Sequence, residues 1–149
     1  MKNLKKIVEF FEQHNSIDFA LVFGSHATNK SHPFSDIDIG IYTNSKIELF
    51  ELGAIVSTIE SLINKPVDLV VLNDLFKKKP DFAYQIVKDH RLIYCRDRSI
   101  YIDFETNAVL YYLDQKPLID SVKEAFFNRL NENRFGKRNY VSKASTIRR

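Results

Sequence analysis

The fold is decided by one stretch, Leu21-Val22-Phe23-Gly24-Ser25-His26-Ala27-Thr28-Asn29-Lys30-Ser31-His32-Pro33-Phe34-Ser35-Asp36-Ile37-Asp38-Ile39-Gly40-Ile41-Tyr42. It predicts a buried strand, a Gly-Ser turn, a polar loop and a second strand that carries two carboxylates. Asp36 and Asp38 are two residues apart, so on a strand their side chains leave the same face of the sheet. Unpaired acids on a core face are costly, so this face holds a cation or is open to water. Two hard oxygen ligands beside a Gly-Ser turn indicate Mg²⁺ and a phosphate, and so a nucleotide.

The composition is that of one globular domain. The chain has 149 residues, and its 44% hydrophobic and 13% aromatic content suffices for a packed core and excludes global disorder. The single cysteine, Cys95, excludes an internal disulfide, and no apolar run approaches the roughly 20 residues that a membrane span requires. A net charge of +3 gives no argument for nucleic acid. We therefore expect a soluble, cytoplasmic protein with neither a membrane nor a nucleic acid as direct partner.

Hydrophobic periodicity predicts helices and strands in alternation. One helix precedes Asn15, a second runs from a capping box at Ser45 and Glu48 to about Ile63, and a third begins at Pro80. The predicted strands cover residues 17–23, 36–42, 67–72 and 91–95. This order predicts an α/β (α+β) fold, in which a small mixed β-sheet has flanking helices and a helical C-terminal part.

The C-terminal part changes character along its length. Helical spacing of apolar residues predicts two helices, over about residues 101–112 and 118–130, with a turn at residues 114–117 between them. The last residues are basic and lose this periodicity. We therefore expect a domain over residues 1–130 and a basic, flexible tail over residues 131–149.

A third acid, Asp68, interrupts an otherwise apolar predicted strand. If this strand lies beside the strand of Asp36 and Asp38, three carboxylates converge and can hold two Mg²⁺ ions about 3.5–4 Å apart. One ion would lower the pKa of an attacking hydroxyl, and the other would hold a triphosphate and stabilise the leaving pyrophosphate. In this scheme Asp68 orients the first ion and accepts the proton.

The Gly-Ser turn predicts a phosphate site. Gly24 has no Cβ, so its backbone can approach an anion closely. The amides of Gly24 and Ser25, together with the Ser25 hydroxyl, can donate hydrogen bonds to phosphate oxygens. Positioning and charge neutralisation of this kind are most of what nucleotidyl transfer demands.

These residues carry a resemblance to a known family. Gly24-Ser25, ten intervening residues and Asp36-Ile37-Asp38 fit the pattern GSx10DxD of the DNA polymerase beta-like nucleotidyltransferase superfamily, and Asp68 resembles its third, separate acid. The whole chain is similar to minimal nucleotidyltransferases, above all to MntA-type antitoxins that are paired with HEPN-domain toxins. The resemblance implies that the protein uses Mg²⁺ and ATP to attach AMP to a tyrosine of the toxin, which blocks the toxin's RNase activity in a type VII toxin–antitoxin system.

The chain departs from the family pattern in the phosphate turn. The family often has Gly-Ser-x-Ala-Arg-Gly, whereas here Thr28 replaces the arginine and Asn29 replaces the second glycine. Asparagine tolerates left-handed backbone, so the shape of the turn can persist. The loss of the arginine removes a cation from it.

The remaining notable side chains have plain structural interpretations. His26 and His32 are too few for a metal site, Cys95 is expected to be a small buried apolar residue, and Lys77-Lys78-Lys79 is expected to be a solvated loop. Three tyrosines are expected to pack between helices: Tyr101, Tyr111 and Tyr112.

The predicted function is AMP transfer to a HEPN toxin, with a homo- or hetero-oligomer left open. The chain is short for a second, acceptor-binding domain, which favours an acceptor delivered by another protein. Three alternatives remain: transfer to a small-molecule hydroxyl such as that of an antibiotic, neutralisation of a toxin by contact alone, and nucleic-acid binding through the basic tail.

Overall fold

A mixed α/β architecture, as expected, is formed by four strands and five helices in the described part of the chain. The computed structural model describes residues 2–24, 27 and 36–135. Its elements in chain order are α1 (Lys2–Glu12), β1 (Ile17–Phe23), β2 (Ile37–Thr43), α2 (Leu49–Ile63), β3 (Val67–Val71), α3 (Leu75–Lys78), α4 (Pro80–Lys88), β4 (His90–Cys95) and α5 (Arg98–Phe135).

The sheet has the strand order β3-β2-β1-β4. β1 is antiparallel to both neighbours, whereas β2 and β3 are parallel and are connected by α2. All seven residues of β1 are buried, as expected for an apolar central strand covered on both faces. The strands predicted at residues 36–42 and 67–72 are thus neighbours, which is the arrangement that the three-acid hypothesis requires.

Each face of the sheet is covered by a separate hydrophobic cluster, because successive side chains of a strand point to opposite faces. On one face Val22 and Ile39 pack with Ile7 of α1 and Ile59 of α2. On the other face the side chains come from β1 and from the helices after β3, and they include Phe19, Leu21, Phe23, Phe76, Ala83, Ile86 and Phe104. The second face is the one that carries Asp38, because Asp38 is the register partner of Phe23.

An ion pair joins β1 to β4 at the opposite end of the sheet. Arg96 Nη2 donates to Asp18 Oδ1 at 2.6 Å, and the backbone N–H of Arg96 donates to the Asp18 carbonyl at 2.7 Å. Asn44 Nδ2 also donates to Asp18 Oδ1, at 3.2 Å. The buried carboxylate therefore connects the ends of three strands.

Two local predictions were wrong. Glu48 has extended backbone (φ −79°, ψ 153°) and is itself the N-cap of α2, without a side-chain capping hydrogen bond, so the predicted capping box is not formed. Lys77 and Lys78 lie in α3 rather than in a loop, because Leu75 and Phe76 are buried and bring this turn of helix onto the sheet.

The predicted turn at residues 114–117 was also wrong, since α5 is helical from Arg98 to Phe135 and includes Pro117. Packing divides the chain into two compact units, Met1–Tyr112 and Leu113–Arg149. In the second unit, the described side chains include the ion pair of Lys116 and Asp120 and several exposed apolar residues: Leu113, Leu118, Val122, Phe126, Phe127 and Leu130. The predicted boundary at residue 130 and the flexible tail stay predictions.

None of the helices in the described ranges is both long and apolar enough to span a membrane.

Candidate functional site

Two acids are brought together by the parallel pairing of β2 and β3. Asp38 and Asp68 are register partners, so their side chains leave the same face of the sheet from adjacent strands. Asp38 is also the register partner of Phe23, the last residue of β1. The two predicted acids therefore lie at the end of the sheet where β1 enters the Gly-Ser turn.

Gly24 begins that turn in left-handed backbone, with φ +74°. A Cβ built on Gly24 would lie 2.5 Å from Asp38 Oδ2, a separation that real Cβ contacts do not show. Only glycine allows this backbone conformation and this close approach together. The predicted nucleotide-binding glycine is thus in direct proximity to a predicted metal-binding acid.

The start of β3 is fixed by two hydrogen bonds next to Asp68. Glu60 Oε2 in the last turn of α2 accepts from the backbone N–H of Val67 at 2.9 Å. The N–H of Ile37, at the start of β2, donates to the Pro66 carbonyl at 3.1 Å. These contacts set the register that places Asp68 opposite Asp38. The role of Glu60 was not predicted from the sequence. The available signal was its position, because an acid near the C-terminal end of a helix does not complement the helix dipole.

Asp36 lies one residue before β2 and is exposed, as is Asp68, whereas Asp38 is partly buried. Over the described ranges, no three His, Cys, Asp or Glu side chains are grouped closely enough to hold a metal ion between them. The carboxylate oxygens are nevertheless the donors that Mg²⁺ prefers, and two of these acids are register partners. Binding of metal by all three stays a prediction.

A buried histidine lies on the other side of β1. His90 is the register partner of Phe23, and its Nδ1 donates to the Val87 carbonyl at 2.8 Å at the end of α4. On the other side of the ring, Nε2 lies 2.7 Å from the Tyr101 hydroxyl oxygen. Burial, followed by the neighbouring Glu105 carboxylate, raises the pKa of Tyr101 to about 12. This network fixes the end of α4 against α5.

A cavity of about 300 Å³ opens beside Gly24, and its lining was not predicted. Besides Phe23 and Gly24, the lining residues come from α4 and the residue after it: Phe82, Gln85, Ile86 and Asp89. These four have the spacing i, i+3, i+4, i+7 of one helix face. That spacing was the available signal, since it places an amide and an acid on the same face as two apolar side chains.

A family model agrees with this geometry. The model of the polymerase beta nucleotidyltransferase family matches residues 5–99, which is more than half of the chain. The chain belongs to the polymerase beta nucleotidyltransferase family. The match begins in α1 and ends just after β4, so it contains the whole sheet of this nucleotidyltransferase, with Gly24 and all three acids.

Solved structures show the same fold. One chain of a crystal structure of a toxin–antitoxin complex with AMP-PNP is 19% identical to this nucleotidyltransferase, with a TM-score of 0.59, and the alignment covers 82% of this chain and 97% of that one. A chain of the MntA-HepT toxin–antitoxin structure is 18% identical with a TM-score of 0.62 and the same coverage. A chain of the tri-AMPylated Shewanella oneidensis HEPN toxin in complex with MNT antitoxin is 18% identical with a TM-score of 0.63, again over 82% and 97%. No curated protein sequence matches the nucleotidyltransferase significantly.

The other residues singled out in the sequence either pack in the fold or lie outside the described residues. Cys95 of this nucleotidyltransferase is partly buried against the second hydrophobic cluster, and burial raises the pKa of its thiol. The tyrosines pack as expected: Tyr101 is buried, Tyr111 contacts Phe76, and Tyr112 stacks on Tyr84 with ring centroids 3.9 Å apart. Five positions lie outside the described residues: Ser25, His26, Thr28, Asn29 and His32.

Proposed function

We propose that this nucleotidyltransferase transfers AMP from ATP to a tyrosine hydroxyl of a HEPN-domain toxin, and that it acts in this way as the antitoxin. The observation that carries the proposal is the parallel register of β2 and β3, which sets Asp68 opposite Asp38 beside the left-handed Gly24. Family membership supports the reaction class, since the matched region contains these residues.

We assign each group its role from its backbone geometry or from its exposure to solvent. The backbone of Gly24, with Ser25, receives the triphosphate, because no Cβ blocks the approach of an anion. Asp36, Asp38 and Asp68 would hold Mg²⁺, which when bound neutralises the phosphates and lowers the pKa of the attacking hydroxyl. Asp68 is exposed and so is open to an incoming acceptor, whose hydroxyl proton it accepts.

The proposed transfer replaces one bond to the α-phosphorus of ATP with another. The acceptor oxygen forms a bond to the α-phosphorus of ATP, and the bond from that phosphorus to the β-bridging oxygen breaks. Pyrophosphate leaves, the hydroxyl proton goes to Asp68, and AMP remains on the acceptor. No oxidant or reductant is required, which agrees with a site made of carboxylates and backbone amides.

The choice of acceptor is supported by the solved structures of similar fold. They are toxin–antitoxin complexes, one of which was crystallised with AMP-PNP and another of which contains a tri-AMPylated HEPN toxin. The alignment covers 97% of each matched chain, so the likeness extends over nearly their full length. These relations favour a protein acceptor over a small molecule.

The decisive experiment is the intact mass of a HEPN partner after incubation with this protein, Mg²⁺ and ATP. We expect the partner to gain the mass of one or more AMP groups. Asp38→Asn and Asp68→Asn should each lower the rate by about 100-fold or more, because each removes a charge from the reacting centre. Asp74→Asn is the matched control, since Asp74 is an exposed acid that pairs with Lys77 in α3.

Two outcomes would contradict the proposal. If the Asp38→Asn and Asp68→Asn variants still neutralise the partner although no AMP is transferred, the protein acts by contact alone. If the partner is never modified but a small-molecule hydroxyl is, the acceptor class is wrong.

A further inference from the structure

The proposed chemistry leaves the cavity beside Gly24 unused. Its floor is apolar, because Phe23 is 8% and Ile86 only 1% exposed. Its rim is polar and consists of the exposed Gln85 and Asp89. A volume of about 300 Å³ is at the lower end of the range for small-ligand sites. An apolar pocket with a few polar groups at its rim is a typical binding site for a flat, partly polar ring.

We propose that this cavity binds the nucleobase of the substrate nucleotide, and that Gln85 and Asp89 select adenine over guanine. The inference rests on the proposed nucleotidyl transfer and specifies its substrate. The link between the two sites is Gly24, which lines the cavity and on which a Cβ would lie 2.5 Å from Asp38 Oδ2. A nucleotide with its phosphates at Gly24 would therefore have its base within reach of the cavity.

The aromatic lining favours a π-system. The rings of Phe23 and Phe82 meet edge to face, with centroids 6.1 Å apart and an interplanar angle of 76°. Phe82 is 37% exposed, so part of its ring surface is open to a ligand. Nucleobases stack on such rings whatever their identity. Phe82 thus contributes affinity but not selectivity.

The polar rim supplies the selectivity. The Asp89 carboxylate can only accept hydrogen bonds, whereas the Gln85 amide both donates and accepts. Adenine presents an exocyclic amine beside a ring nitrogen acceptor, which an amide can bind with two hydrogen bonds. These two groups of adenine are N6 and N7; on the same edge guanine presents the O6 carbonyl in place of the amine, and this oxygen would face a carboxylate with no proton between them.

The same lining argues against the phosphates as occupants. None of the described lining residues is basic, and Asp89 is acidic, so the wall formed by α4 offers no positive charge to a phosphate. Its shape is held by His90, whose Nδ1 donates to the Val87 carbonyl in the last turn of α4, directly before Asp89. This hydrogen bond positions the backbone at the end of α4, next to Asp89.

The test is direct binding of ATP, CTP, GTP and UTP to the full chain without an acceptor, measured by calorimetry. We expect ATP to bind at least about tenfold more tightly than GTP. Phe82→Ala should weaken ATP and GTP alike, by about tenfold, because stacking is tolerant of base identity. Asp89→Asn should reduce the difference in affinity between ATP and GTP, because the new amide can donate to the guanine carbonyl.

Asp114→Asn is the matched control for Asp89→Asn, since it removes an exposed acid from α5 without touching the cavity. Thermal unfolding of each variant verifies that it folds. Equal affinity for ATP and GTP, or an unchanged preference in Asp89→Asn, would overturn the base pocket even if AMP transfer proceeds. A clear preference that Asp89→Asn alters would uphold it even if no toxin is modified. If Phe82→Ala leaves ATP affinity intact and slows transfer only, the cavity holds the acceptor and the inference is wrong.

Discussion

Asp38 Oδ2 lies in the space where a side chain on Gly24 would begin, 2.5 Å from the position of a Cβ. The turn and the second strand are therefore fitted to each other at one glycine. Gly24 also has φ +74°, which is unfavourable for most residues with a Cβ. The short distance to Asp38 and the backbone conformation both disfavour a side chain at residue 24, so this position is intolerant of substitution.

Gly24→Ala should lower the free energy of unfolding by about 1–2 kcal/mol and should abolish nucleotide binding. The matched control is Gly53→Ala in α2, where a new Cβ meets nothing within 4 Å. This control should raise the free energy of unfolding by about 0.5–1 kcal/mol, because alanine is the better helix former. Urea unfolding and calorimetry with ATP measure the two effects. Similar behaviour of the two variants would refute the argument.

Glu60→Ala should loosen the start of β3, because the Val67 N–H would lose its acceptor. A part-buried donor left without a partner costs about 1–3 kcal/mol. We expect faster hydrogen exchange at Val67 and slower AMP transfer, since Asp68 is the next residue. Glu60→Gln keeps an acceptor oxygen and should restore both properties. Unchanged exchange at Val67 in Glu60→Ala would show that this hydrogen bond does not set the register.

The ion pair of Asp18 and Arg96 predicts an order of stabilities. Asp18 is 3% exposed and Arg96 is 43% exposed, so only the carboxylate depends on its partner for solvation. Arg96→Ala should therefore be less stable than Asp18→Ala, and the double variant should be more stable than Arg96→Ala alone. Urea midpoints at neutral pH provide the measurement. Equal midpoints for the two single variants would mean that water solvates Asp18 after all.

Tyr101 predicts a loss of stability at alkaline pH. Its pKa is about 12 in the folded protein, above the usual value near 10, because burial disfavours the phenolate. The folded state thus holds the hydroxyl proton more tightly than the unfolded state does. Its contribution to the free energy of unfolding is fully present below about pH 10 and is lost as the pH rises through 12. The loss should be about 2–3 kcal/mol. Tyr101→Phe should abolish this slope, whereas Tyr112→Phe should keep it; a slope unchanged in Tyr101→Phe would contradict the assignment.

The sheet and the acids were accessible from sequence because their signals are local. Apolar runs predicted the strands at residues 17–23 and 67–72, a short alternation followed by apolar residues predicted the strand at 36–42, and an acid inside an apolar run marked Asp68. The pairing of β2 with β3 was a conditional inference, because nothing local in residues 67–72 specifies which strand they join. The structure supplies that pairing, and with it the position of Asp68 opposite Asp38.

At Lys77 and Lys78, long-range packing overrode a local signal. The lysines after Phe76 suggested a loop, but burial of Leu75 and Phe76 holds that segment in a helix. Pro117 suggested a turn, yet α5 includes it. The spacing of Phe82, Gln85, Ile86 and Asp89 placed these residues on one helix face, but it could not place Phe23 beside them, because only the tertiary fold brings β1 and α4 together.

The central position of β1 has a consequence for synthesis on the ribosome. One edge of β1 pairs with β2, but the other waits for β4, which ends at Cys95. At roughly 5–20 residues per second, several seconds pass between the emergence of the two strands. During that time the nascent chain presents an uncovered, apolar strand edge, so we expect products that terminate before β4 to be prone to aggregation.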